Sequence, residues 1–276
     1  MLFNRSLRNA VCLFTLFFLS TSFGASSANS NANAPSKGRF DLSVWKLTLP
    51  IDSDGEKSGV AAEVSPIPKN FQEAPYFTTG KDAAMVFQVP ADGATTRGSH
   101  YPRSELRELT ASGDEASWTT SKGGTMSATL AVNQLATATT GTSRIVIGQI
   151  HGPDDELCRL YYDKGVLFFV DDKSGPGFKE TKFVLKSSAG KPTKIPLNAK
   201  FSYTIKATRS TLSVSAVHNG VTYSATEPIS NFWKDQALYF KAGVYSQVGK
   251  PGSGAGNTGT GYSRASFYNI TKPSHP

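Results

Sequence analysis

The 276 residues suit one large all-β domain or two small ones, and exclude a small scaffold that depends on disulfides. Hydrophobic residues make up 38% and aromatic residues 11%, enough for a packed globular body. Lysine and arginine outnumber aspartate and glutamate by 29 to 21, and this basic balance suits a polyanionic partner: acidic polysaccharide, nucleic acid or an anionic surface.

The chain opens on a secretory signal pattern. Arg5 and Arg8 are its basic part, Ala10 to Leu19 its apolar run, and Ser22 with Gly24, or Ser26 with Ala28, its small residues. The run falls short of the roughly 20 apolar residues that a spanning helix needs. Residues 1–28 are therefore expected to be removed from a secreted protein, extracellular or periplasmic, without a membrane anchor. Removal of Arg5 and Arg8 leaves 27 basic against 21 acidic residues, a net charge near +6. It also removes Cys12, so Cys158 is left without a disulfide partner and reads as a small buried hydrophobe. Residues 29–39 read as a flexible leader rich in Ser, Asn and Ala. Residues 40–276 then form one domain, with no internal repeat.

From there strand signals dominate: short runs rich in β-branched and aromatic residues. In chain order they are Leu42–Leu49, Ala84–Val89, Arg103–Glu108, Ser127–Val132, Arg144–His151 and Val166–Val170. Lys182–Leu185, Phe201–Ala207, Thr211–Val217, Val221–Ala225, Tyr239–Gln247 and Tyr262–Thr271 follow. Asn219-Gly220 joins two of them in a hairpin, because both residues tolerate positive φ. A helical turn is expected near Ser65–Glu73 or Ile229–Asp235, and a mobile loop over Gly249–Gly261. Many short strands with turn punctuation predict an all-β fold: a jelly-roll sandwich of two antiparallel sheets.

Three runs place chemistry on strands, where alternate residues share a face. Arg103, Glu105 and Arg107 share one, a pair of guanidinium groups around a carboxylate that suits binding of sugar carboxylates. Gln149 and His151 share another, an amide beside an imidazole. In Tyr239–Gln247, Phe240, Ala242 and Val244 face inward, while Lys241, Gly243, Tyr245 and Gln247 face out, with Gly243 leaving room for a ligand.

RSELR at 103–107, QIH at 149–151 and YFKAGVYSQ at 239–247, preceded by VWKLTLP at 44–50, resemble in order the signature of polysaccharide lyase family 7, the alginate lyases. The resemblance spans about residues 40–271 and implies a jelly roll with a concave substrate cleft. It implies β-elimination on alginate, an acidic polysaccharide, with no cofactor, no metal and no nucleic acid. Arg103 and Gln149 would neutralise the uronate carboxylate beside His151. Tyr245 would protonate the leaving oxygen, and His151 would take the C5 proton of guluronate. Glu105, Arg107, Lys241 and Gln247 would bind substrate around a monomeric enzyme's cleft. Within the family, isoleucine at position 150 accompanies action on guluronate-containing blocks.

Two other readings use the same features. A non-catalytic sugar-binding jelly roll would present a basic, aromatic cleft but needs no Tyr, His, Gln and Arg together. A sandwich glycoside hydrolase needs paired carboxylates on one face, and Glu105 and Glu108 have opposite strand parity.

Overall fold

The computed structural model describes residues 40–172 and 179–276. The signal and leader segments, residues 1–39, lie outside the described residues. Chain order gives β1 (Trp45–Thr48), β2 (Glu63–Val64), β3 (Phe77–Thr79), β4 (Met85–Pro90), β5 (Arg103–Glu108) and β6 (Gly124–Gln134). Then come β7 (Thr137–Ala138), β8 (Ile145–His151), β9 (Glu156–Asp163), β10 (Val166–Asp171), β11 (Thr181–Val184) and β12 (Phe201–Ala207). The last are β13 (Thr211–His218), β14 (Val221–Pro228), β15 (Tyr239–Ser246), β16 (Gly259–Thr260) and β17 (Tyr262–Ile270).

Two antiparallel sheets make a jelly-roll sandwich. One has eight strands in the order β11-β10-β9-β8-β15-β5-β1-β2, the other seven in the order β14-β13-β12-β6-β17-β4-β3. The core lies between them because each sheet turns its apolar parity inward. Leu47, Leu106, Phe240, Ala242 and Val244 come from the first sheet, and Phe87, Leu130, Tyr203, Ile205 and Phe267 from the second. All of these side chains are buried, and each large one contributes roughly 1.5–3 kcal/mol. Phe77, Phe87 and Phe267 meet edge to face at 5.3 and 5.1 Å.

Asn219 and Gly220 turn the β13–β14 hairpin at φ 50° and 75°. Some expectations shift. Leu42–Val44 is a turn of 3-10 helix capped by Asp41, so the first strand begins at Trp45. Of the two expected helical turns, only Asn231–Asp235 forms. The loop over 249–261 is tied down by Asn257, whose side chain donates to the carbonyls of Thr142 and Gln247. Strand β9 gave no clear sequence signal. It pairs Ile150 with Cys158 and His151 with Glu156, and this register irregularity breaks the period of two that a sequence reading relies on. Cys158 is fully buried on its core face, and burial pushes the thiol well above its ordinary value. Among the described residues no helix is long and apolar enough to cross a membrane.

Candidate active site

Strand β15 runs between β8 and β5, and this adjacency assembles the site. Register places Tyr239 opposite His151, and Lys241 between Gln149 on one side and Arg107 on the other. Gly243 meets Glu105, and Tyr245 meets Arg103. Three runs spread over some 140 residues of chain thus become one surface on the face of the sheet turned away from the core. A cleft of about 750 Å³ opens over it, lined among others by Arg103, Arg107, His151, Lys241 and Tyr245.

Glu105 organises the floor. It is fully buried; one oxygen accepts from Gln149 Nε2 at 2.5 Å, the other from Lys241 Nζ at 2.8 Å and Arg103 Nη1 at 3.4 Å. Burial works against its charge, but Lys241 and Arg103 outweigh it and hold the carboxyl below its usual range. The same burial, reinforced by Arg103, pulls the Lys241 ammonium down to about 8. Glu105 was expected to touch substrate; its oxygens instead serve three groups of the protein. Gln149 lies fully buried in the same layer, beneath the residues that line the cleft, and its carbonyl oxygen Oε1 has no hydrogen-bond partner among the described residues. That acceptor is oriented by the bond its amide nitrogen makes to Glu105.

His151 packs flat on Tyr239, with ring centres 5.1 Å apart. Its Nδ1 lies 2.5 Å from the Gly152 carbonyl oxygen. A carbonyl only accepts, so Nδ1 carries the hydrogen and Nε2 keeps its lone pair. Burial, with Lys241 and Arg103 nearby, lowers the pKa despite Glu156, so the ring is neutral at pH 7. Arg107 reaches Tyr239 from the β5 side, 3.9 Å from the ring centre, and pairs with Glu115 at 3.0 Å. Arg103 lies 3.8 Å from the ring centre of Tyr245. Tyr245 stands beside Val146 in a small apolar cluster that continues through Tyr161 to Phe168 and Val170, and its hydroxyl is 3.0 Å from Ser99 Oγ.

Two expected roles change. Gln247 lies past the end of β15, outside the cleft lining, and donates to the carbonyl of its neighbour Ser246 at 3.0 Å. Gly243 makes room for protein rather than ligand: at φ 147°, a Cβ there would sit 2.6 Å from the Ser104 carbonyl oxygen. Residues beyond the sequence reading also join the site. Lys46 lies next to Arg107 across β1–β5 and is held by Glu63 and Glu115 at 2.8 and 2.6 Å. Its alternation with Trp45 and Leu47 was a usable signal. Tyr239 shares the parity of Lys241 and Tyr245 and was legible in the same run, whereas Glu115, Glu156 and Ser99 carried no signal.

The comparisons agree with this geometry. The alginate lyase family model matches residues 40–273. The chain belongs to the alginate lyase family. This polysaccharide lyase is 32% identical over 296 residues to an alginate lyase of Klebsiella pneumoniae, covering 88% of this chain and 93% of the relative. A crystal structure of alginate lyase from that organism superposes with a TM-score of 0.74 at 30% identity, over 88% of this lyase and 99% of the other. An alginate lyase from Pseudomonas aeruginosa gives 0.69 at 30% identity, over 86% and 100%. A member of polysaccharide lyase family 7 gives 0.67 at 28%, over 88% and 99%.

Proposed function

We propose that this lyase is secreted, acts as a monomer and depolymerises alginate by β-elimination, favouring guluronate-containing blocks. The observation that carries the reading is the orientation of His151, fixed by the 2.5 Å contact of Nδ1 with the Gly152 carbonyl oxygen. With Nδ1–H given to the Gly152 carbonyl and the ring neutral, Nε2 is a base at the edge of a carboxylate-binding floor.

The chemistry has three requirements. The C5 proton of a uronate is too weakly acidic to leave while the carboxylate beside it stays uncompensated. Arg103, and the Gln149 amide held by Glu105, supply fixed dipoles and charge where negative charge builds as the proton departs. His151 Nε2 takes the C5 proton of guluronate. Tyr245 gives its hydroxyl proton to O4, the C4–O4 bond breaks with its electron pair going to O4, and a C4–C5 double bond forms. On mannuronate, whose C5 proton lies on the opposite face, Tyr245 serves as base as well. Arg107 and Lys241 bind neighbouring carboxylates. Ile150 is buried against the core and acts on block preference through packing.

Incubation with polyguluronate, polymannuronate and other polyuronates, followed by ultraviolet absorbance of the conjugated double bond, tests the reading. Saturated ends alone would overturn elimination, and strong preference for pure polymannuronate would overturn the block assignment.

A further inference from the structure

We propose that Ser99 is a positioning residue for proton delivery: it parks the Tyr245 hydroxyl proton in the empty site and donates to the phenolate formed once that proton has gone to the leaving oxygen. The inference rests on the reading of Tyr245 as the acid.

Ser99 Oγ carries one hydrogen. It lies 3.1 Å from the Tyr101 carbonyl oxygen, which only accepts, so the serine proton is committed there. Oγ accepts the Tyr101 backbone N–H at 3.0 Å and is 3.0 Å from the Tyr245 hydroxyl. With the serine proton already placed, the tyrosine is the donor of that contact. The phenol O–H thus has a defined direction before substrate arrives, while Val146 on the neighbouring strand and Arg103 at its face hold the ring.

Delivery to O4 turns the tyrosine proton away from Ser99 and leaves a phenolate. Rotation about the serine Cβ–Oγ bond then brings the serine proton from the Tyr101 carbonyl to the phenolate oxygen. As the product leaves, the tyrosine is reprotonated from solvent and His151 releases the C5 proton to solvent, so protons balance over the cycle. A hydrogen bond to an ionised acceptor is about twice as strong as a neutral one, so the contact strengthens as the leaving oxygen is protonated. That gain falls on the step rather than on substrate binding. The charged and titratable groups facing Tyr245 are Arg103 beneath its ring, Arg159 and Tyr161 from β9, and Tyr101 from the loop before β5. Replacement of Ser99 by Ala touches none of Arg103, Arg159 and Tyr161 but removes two bonds to the Tyr101 backbone, which Ser99→Thr keeps.

The test is Ser99→Ala and Ser99→Thr beside Tyr245→Phe, each assayed on polyguluronate for kcat and KM. Ser99→Ala should lose about tenfold in kcat with KM little changed, the scale of one charge-assisted hydrogen bond. Ser99→Thr, which keeps the hydroxyl, should restore the rate. A full-rate Ser99→Ala beside an inactive Tyr245→Phe would overturn the role of Ser99 alone. So would a loss confined to KM, the signature of a disturbed loop. An active Tyr245→Phe would instead remove the acid assignment, and this inference with it.

Discussion

At the scale of single residues, the two side chains proposed to handle protons are separable because they sit on different supports. His151 is held by the Gly152 carbonyl and the face of Tyr239; Tyr245 is held by an apolar cluster and Ser99. Tyr245→Phe should therefore keep fold and polymer binding while losing roughly 10²–10⁴-fold in rate on every block type. His151→Asn should reduce the rate on polyguluronate more than on polymannuronate, where tyrosine serves both roles. The ratio of the two losses is the measurement, and equal losses would refute a separate base. Protonation of His151 should also set the acid limb on polyguluronate, below the ordinary imidazole value near 6.5, since burial lowers its pKa. Glu105 calls for a different experiment. Glu105→Gln strands the Lys241 and Arg103 charges in a buried layer, and loss of one partner of a buried pair costs about 3–5 kcal/mol. The variant should melt markedly lower than wild type; an unchanged melting temperature would show that the carboxylate is not the organising charge.

At the scale of elements, β5 works on both faces. Its outer parity carries Arg103, Glu105 and Arg107, and its inner parity carries Glu108 at the edge of the core. Glu108 accepts from Trp118 Nε1 at 3.0 Å and from the Phe240 backbone N–H at 2.9 Å, and its other oxygen lies 2.6 Å from His275 Nε2. His275 Nδ1 meets the Gly123 carbonyl at 2.8 Å. Both ring nitrogens thus face acceptors, and the structure holds the imidazolium. Burial works against that charge, but the bonds to Glu108 and Gly123 outweigh it and raise the pKa above the ordinary 6.5. The sign follows. The stabilisation is fully present below about pH 6.5 and fades as pH rises through the raised folded-state value. Thermal unfolding across that range should show the decline, and His275→Gln should flatten it; a variant with the same slope as wild type would refute the latch. The latch also fixes the start of β15: Glu108 holds Phe240, and Trp118 bridges Leu238, on either side of Tyr239, which pairs with His151 of β8.

At the scale of the whole molecule, charge is concentrated where the polymer would lie. Lys46, Arg103, Arg107 and Lys241 border one cleft, and Glu63 and Glu115, both well exposed, pair with Lys46 and Arg107 at its rim. A polyanion must displace those exposed acids, so its binding should weaken as salt rises, with a screening length near 10 Å at about 0.1 M. Affinity for alginate, measured by titration in increasing salt, should fall before the turnover of bound substrate does. Flat affinity over a wide range would argue against a charge-lined cleft.

What the sequence by itself determined was everything carried by local periodicity. Alternation in Tyr239–Ser246 assigned Lys241 and Tyr245 to one face and Phe240, Ala242 and Val244 to the core, and the register agrees. Asn219-Gly220 determined a hairpin because two adjacent positive φ values leave few alternatives. The order of short strands and turns determined a sandwich. Period two also had a limit. It would set Ile147 beside Gln149, but a bulge in β8 turns Ile147 into the core and brings Val146 under Tyr245. What only the tertiary structure decided was which surfaces meet. The adjacency of β8, β15 and β5 turned Glu105 from a substrate contact into the buried anchor of Gln149 and Lys241. It placed Ser99 against a tyrosine 146 residues away, and His275 against Glu108 across 167. Such contacts have no local signature: a loop serine has no periodicity, and strand order is chosen by how two whole sheets bury their faces together.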